Sequence, residues 1–226
     1  MKPKSNMKKV LLVLLFVILI TACTKNQSSI VTINLDGIKL TANYSLSLDE
    51  QKSAVILLHE LNGQKEDYDS LTPILNQNNY STLALDFRGH GQSEGSKEDY
   101  SKYIDDIKAA KEYLKEKDYE NIYIIGSSIG ANTALKYATT DKEIKKIILL
   151  SPGVDYQGYT VYDIVNNYQG ELYLIAGDDT LEVAENLKEL YKGEKKYRPL
   201  TDSTAHGTEL IEAENTKSII LLFLRR

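Results

Sequence analysis

The apolar run Asn121-Ile122-Tyr123-Ile124-Ile125 leads into Gly126-Ser127-Ser128-Ile129-Gly130, and Ala131 to Ala138 then reads as helix. A serine on a tight strand-to-helix turn has its hydroxyl pushed out above the sheet. Small residues two before and two after it let neighbouring backbone approach without clashing. The N–H of Ile129 then points from a helix N-terminus toward any oxyanion forming beside Ser128. G-x-S-x-G alone is a weak signal, but between a five-residue strand and an amphipathic helix it carries more weight. The competing reading is a glycine-rich turn of an ordinary α/β sheet.

On the N-terminal side of this turn, Ile30 to Leu35 and Ile38 to Leu46 are β-rich runs separated by Asp36-Gly37, a hairpin signal. Ala54 to His59 and Thr82 to Asp86 read as buried strands, with helical periodicity over Tyr68 to Gln77. A long helix is predicted around Tyr100 to Lys117, because Tyr103, Ile107, Ala110 and Leu114 recur at spacings of three and four. On the other side, Ile147 to Ser151, Glu171 to Gly177 and Lys196 to Leu200 read as strands. Leu181 to Tyr191 and Glu214 to Leu224 read as helices. Antiparallel strands followed by β-α repeats predict a doubly wound, mostly parallel α/β sheet with helices on both faces.

Ligands bind at the carboxyl ends of parallel strands, and four strand ends carry suitable groups. Ser128 follows Gly126. His59-Glu60-Leu61-Asn62-Gly63 follows Leu58 and can supply a second oxyanion N–H from Leu61. Asp178 and Asp179 follow Gly177, and Thr201-Asp202-Ser203-Thr204-Ala205-His206-Gly207 follows Leu200. The order Ser…Asp…His is one that a sheet of this kind uses for nucleophilic catalysis.

The chain ends bound its setting. Lys2, Lys4, Lys8 and Lys9 precede an unbroken apolar run of 11 residues, Val10 to Ile20. That is too short to span a bilayer and suits a secretory signal over residues 1–22. Ile20-Thr21-Ala22-Cys23 resembles a bacterial lipobox, which implies cleavage before Cys23 and a diacylglyceryl group on its thiol. Residues 23–30 then form a polar tether and 31–226 a single domain. Cys23 is the only cysteine, so no disulfide supports that domain. Removing the four leader lysines takes the net charge from −5 to −9. A domain this acidic is a poor binder of nucleic acid or anionic lipid, so membrane contact is expected through the lipid alone, outside the cytoplasm.

Taken together, the chain resembles an α/β-hydrolase of the compact, dienelactone-hydrolase-like or S33-peptidase-like kind. Leu85-Asp86-Phe87-Arg88-Gly89-His90-Gly91-Gln92-Ser93 is similar to the D-x-R-G-x-G-x-S loop of that superfamily, and Ala205-His206-Gly207-Thr208 to its histidine loop. The likeness covers about residues 50 to 226. It implies a serine hydrolase, most simply an esterase, with Ser128 as nucleophile and His206 as general base. Asp179 or Asp178 would orient the imidazole, and the N–H groups of Leu61 and Ile129 would hold the oxyanion. Thr180 stands where the family usually has its acid. Asp179 is preferred if the turn is one residue shorter, with Asp178 as the alternative.

Glu60 falls at the oxyanion rim, with Arg88 as the expected counter-ion, both as substrate-binding candidates. Asp86 is expected to be structural and His59 to shape its loop. His59, His90 and His206 lack metal-binding spacing, and Gly89 to Gly95 misses the dinucleotide pattern by one residue, so no metal and no organic cofactor is expected. Val154 to Gly170 is too short for a helical cap, which leaves a minimal lid. Its Tyr156, Tyr159, Tyr162 and Tyr168 either line the cleft, Tyr156 foremost, or pack a surface loop. The partners expected are small esters or amides. A peptidase or amidase on the same fold, and a non-catalytic binding lipoprotein, stay open as alternatives.

Overall fold

A computed structural model describes residues 28–48, 52–200 and 203–225. The leader, Cys23, residues 24–27 of the tether, Thr201 and Asp202 lie outside them. The strands are β1 (Ser28–Leu35), β2 (Ile38–Ser45), β3 (Ser53–Leu58), β4 (Ser81–Leu85), β5 (Asn121–Ser127), β6 (Lys146–Leu150), β7 (Asp155–Tyr156), β8 (Tyr159–Thr160), β9 (Glu171–Ala176) and β10 (Lys195–Pro199). The helices are α1 (Thr72–Gln77), α2 (Tyr103–Lys115), α3 (Ile129–Thr140), α4 (Leu181–Leu190) and α5 (Thr216–Leu224). Eight strands form one sheet in the order β1-β2-β4-β3-β5-β6-β9-β10, while β7 and β8 pair separately. From β4 to β10 every pairing is parallel. The β1–β2 hairpin joins antiparallel at the β4 edge.

Both faces of this sheet are covered, so its central strands are continuously apolar. In β3, Ala54, Ile56 and Leu58 enter one core with Ile107, Ala110 and Leu114 of α2 and Leu135 of α3. Val55 and Leu57 point the other way, into a core with Leu71, Leu75, Phe223 and Leu224. Two adjacent residues thus serve two cores, as the period-two pleat requires. The apolar spacing expected for the long helix is the one observed, since Tyr103, Ile107, Ala110 and Leu114 are all fully buried. None of the described helices is long and apolar enough to cross a membrane.

Several boundaries differ from expectation. Ser28, Ser29 and Ile30 belong to β1, paired with Ser45, Tyr44 and Asn43, so the tether stops short of residue 28. The segment 68–77 is a 3-10 turn over Lys65–Tyr68 followed by α1, whose Pro73 falls in its first turn. Helix α2 is preceded by a 3-10 turn, Tyr100–Lys102, and a further one at Gly207–Glu212 separates His206 from α5. The stretch 154–170 holds the β7–β8 hairpin and a 3-10 turn at Val165–Asn167.

Candidate active site

Ser128 is the N-cap of α3, with φ 53° and ψ −117°, and its N–H donates to the Leu150 carbonyl at 2.8 Å. The glycines around it admit no side chain. A Cβ on Gly126 would lie 2.3 Å from the Gly130 carbonyl oxygen, and one on Gly130 would lie 2.6 Å from the carbonyls of Leu58 and His59. The start of α3 is therefore pressed against the carboxyl end of β3. That contact brings the His59–Gly63 loop, with Leu61, beside Ser128. Ile129 is the first residue of α3, so its N–H has no acceptor within the helix. Tyr68 reinforces the junction from below, bonding Ser127 Oγ at 2.9 Å and the Leu58 carbonyl at 2.8 Å.

The histidine loop arrives from β10 and is tied to two other strand ends. Gly207 N–H donates to Ser151 Oγ at 2.9 Å, beyond β6. Thr208 donates its N–H (2.9 Å) and its hydroxyl (3.2 Å) to the Glu60 carboxylate, beyond β3. From the end of β9, Asp178 N–H donates to the Ser203 carbonyl at 3.0 Å. His206 Nδ1 lies 2.5 Å from Asp179 Oδ2. Of the two candidate acids, the structure brings Asp179 to the imidazole; the Asp178 side chain is exposed. Thr180, at the position the family uses for its acid, is buried as the N-cap of α4, and its hydroxyl is 3.4 Å from Asp179 Oδ1. The turn is one residue shorter, as the preferred reading required.

The expected Glu60–Arg88 pair does not form. Arg88 is turned the other way into the core, where Nε and Nη2 bond Asp106 Oδ1 at 2.9 and 2.5 Å and its N–H bonds Asp106 Oδ2 at 3.0 Å. Asp106 is fully buried, and it draws the guanidinium inward because a buried carboxylate needs a counter-charge. Glu60 instead uses the Thr208 donors described above. Burial pushes its carboxyl above the usual range, and the Thr208 bonds oppose that shift. Neither residue was linked to Thr208 or Asp106 by sequence spacing, since the separations are 148 and 18 residues.

The structural roles expected of Asp86 and His59 fit their contacts. Asp86 accepts from the Lys65 backbone (2.7 Å), the Lys65 ammonium (2.8 Å) and Gln92 N–H (2.9 Å), all away from Ser128. Lys65, a fully buried cation, was not foreseen. His59 donates from Nδ1 to its neighbour's carbonyl at 2.7 Å and accepts Phe87 N–H at Nε2 at 3.1 Å. Burial holds its imidazole pKa down to about 4, with His90 and Lys65 adding to the effect, so the ring is neutral. Among the described residues no group of three or more His, Cys, Asp or Glu is placed to hold a metal ion.

The four lid tyrosines divide. Tyr159 and Tyr168 are buried and structural, the first donating to the Tyr100 carbonyl at 2.5 Å and the second to the Glu171 carbonyl at 3.2 Å. Tyr162 is half-buried against α4, where Asn186 reaches its hydroxyl. Tyr156 is the one that reaches the nucleophilic turn. Its hydroxyl is hydrogen-bonded to the Ser128 side chain and lies in the field of Asp179. Among the described residues no hydrogen bond links Ser128 directly to His206.

A sequence profile of the family described as serine aminopeptidase, S33, matches residues 49–195. The chain belongs to the S33 family. It is 32% identical over 151 residues to a carboxylesterase of Bacillus subtilis, a match covering 62% of this chain and 57% of that protein. It is 35% identical over 98 residues to a probable alcohol acetyltransferase of Cyberlindnera fabianii, covering 42% of this chain and 25% of that one. The chain therefore spans little more than half, or less, of these relatives. In three dimensions it resembles Est1E of Butyrivibrio proteoclasticus, solved with ferulic acid bound, with TM-score 0.73 and 23% identity over 87% of this chain and 100% of that one. The architecture is thus the α/β-hydrolase fold of this S33 chain, as its motifs implied.

Proposed function

We propose that this S33 chain is a serine esterase that forms an acyl-enzyme on Ser128. The observation that carries the reading is the 2.5 Å contact between His206 Nδ1 and Asp179 at the rim where the Ser128 turn emerges. A carboxylate on Nδ1 fixes the tautomer that leaves Nε2 free to take the serine proton, and it stabilises the imidazolium that results. Attack of Ser128 Oγ on an ester carbonyl makes a tetrahedral oxyanion, for which the N–H groups of Leu61 and Ile129 serve as donors. His206 returns the proton to the departing alkoxide, and water then releases the acid by the same steps in reverse. The carboxylesterase relative supports this chemistry.

The side chains of His206 and Asp179 are 35% and 45% exposed, so the hydrolytic water has direct access. The short insert leaves the cleft open, which favours small or extended esters over long buried acyl chains. The family description favours a second reading, release of N-terminal residues from peptides. With Cys23 lipidated, the enzyme would work at a membrane surface outside the cytoplasm.

A fluorophosphonate probe should label the wild type and leave Ser128→Ala unlabelled. An unlabelled wild type would sink the catalytic reading in favour of a binding protein. Turnover of p-nitrophenyl esters against aminoacyl-arylamides separates esterase from peptidase. Cys23→Ser should move the protein from the detergent phase to the aqueous phase of a phase-separation assay.

A further inference from the structure

Strand order sets Ser128 between two unlike neighbours. The β3 loop with Leu61 lies on one side of β5, while the β7–β8 hairpin, Asp179 and His206 follow β6, β9 and β10 on the other. The Tyr156 hydroxyl, bonded to the Ser128 side chain, thus approaches from the imidazole side, away from the oxyanion donors.

The hairpin that carries it is fixed to the same helix that carries the serine. Asn132 of α3 donates to the carbonyls of Gly153 (2.9 Å) and Tyr159 (2.7 Å) and accepts Gly153 N–H at 3.1 Å. Tyr159 adds its bond to Tyr100. The Tyr156 ring lies flush on Gly153, where a Cβ would come within 2.4 Å of Cζ. Phenol and nucleophile are held as one rigid unit, which is the condition for a preorganised donor. Burial also raises the phenol pKa, so the group keeps its proton.

We propose that Tyr156 is a catalytic residue that donates a hydrogen bond to the leaving-group oxygen of the ester, an inference that rests on the serine-esterase reading above. In the resting site the two hydroxyls share one hydrogen bond. When Ser128 Oγ bonds the carbonyl carbon, its proton passes to His206 Nε2 and the carbonyl π pair moves onto oxygen. The esterified Oγ is then a poor acceptor, and the phenol O–H turns to the alkoxy oxygen on its own side. As the C–O bond breaks, that oxygen takes the electron pair and receives the proton from His206, while Tyr156 retains its own. The substrates that need this help are alkyl esters, whose alkoxides are strongly basic; a nitrophenolate leaves without it.

Tyr156→Phe keeps the ring on Gly153 and removes only the donor. With one butyryl group throughout, kcat/KM reports acylation alone. It should fall roughly 10- to 100-fold on ethyl butyrate and less than about threefold on p-nitrophenyl butyrate. Equal losses on both esters, or no loss on either, would overturn the proposal and leave Tyr156 a packing residue. A wild type that turns over neither ester defeats the esterase reading and takes this inference with it. A wild type that turns over both, with a variant lacking leaving-group dependence, defeats this inference alone.

Discussion

Ser128 holds a backbone conformation that costs an L residue on the order of 1–3 kcal/mol. Its N–H bond to Leu150 and the packing of α3 onto β3 keep it there. The strain was readable in advance, because glycines two before and two after a serine have few other uses between a strand and a helix. The acid was only half readable: two adjacent aspartates follow β9, and spacing alone could not say which faces the imidazole. Removing the contact at 2.5 Å should be decisive. Asp179→Asn is expected to lower kcat by about 10⁴ by favouring the wrong tautomer, and Asp178→Asn to change it little, in steady-state assays of both variants.

His59 offers a test by pH. Its folded pKa is depressed to about 4 from an ordinary 6.5, so the unfolded chain binds the proton more readily. The associated stability is fully present above pH 6.5 and is lost as pH falls through about 4, a change of about 3 kcal/mol in total. An imidazole carbon-bound proton resonance assigned to His59 should show no titration between pH 7 and 5. A midpoint near 6.5 would contradict the buried, neutral ring.

At the scale of elements, the strands and the long helix followed from periodicity because each buries a regular face. What periodicity missed was punctuation. The 3-10 turns before α2 and α5 have no repeating face to read, and β7 and β8 are two residues each, too short for alternation to register. Asn132 was equally invisible. A polar residue on a buried helix face looks like a misplaced surface residue until the Gly153 and Tyr159 backbone appears opposite it. Asn132→Ala leaves three backbone groups unpaired and should cost about 2–3 kcal/mol, measured by urea unfolding. Limited proteolysis within residues 154–160 should also quicken.

Across the whole molecule, the D-x-R-G-x-G-x-S loop acts as a hub between parts distant in sequence. Asp86 fastens it to the turn after β3 through Lys65, and Arg88 fastens it to α2 through Asp106. Sequence likeness marked the loop but not its partners, since a lone lysine and a helix aspartate read as surface charge. Arg88→Ala strands a fully buried carboxylate and should destabilise by roughly 3–5 kcal/mol in urea melts. The turnover of each probe-titrated active site should stay unchanged, since the guanidinium faces away from Ser128; a selective fall in turnover would restore a substrate-binding role.

The tip of the hairpin that bears Tyr156 is Gln157-Gly158, both at positive φ, exposed, and with open space around the Gly158 Cα. A graft spliced at this point would hang over the reaction centre while leaving the sheet, the elbow and the Asn132 fastening intact. It is the natural place for evolution or a designer to build a larger roof, and so to change which molecules enter without touching the chemistry beneath.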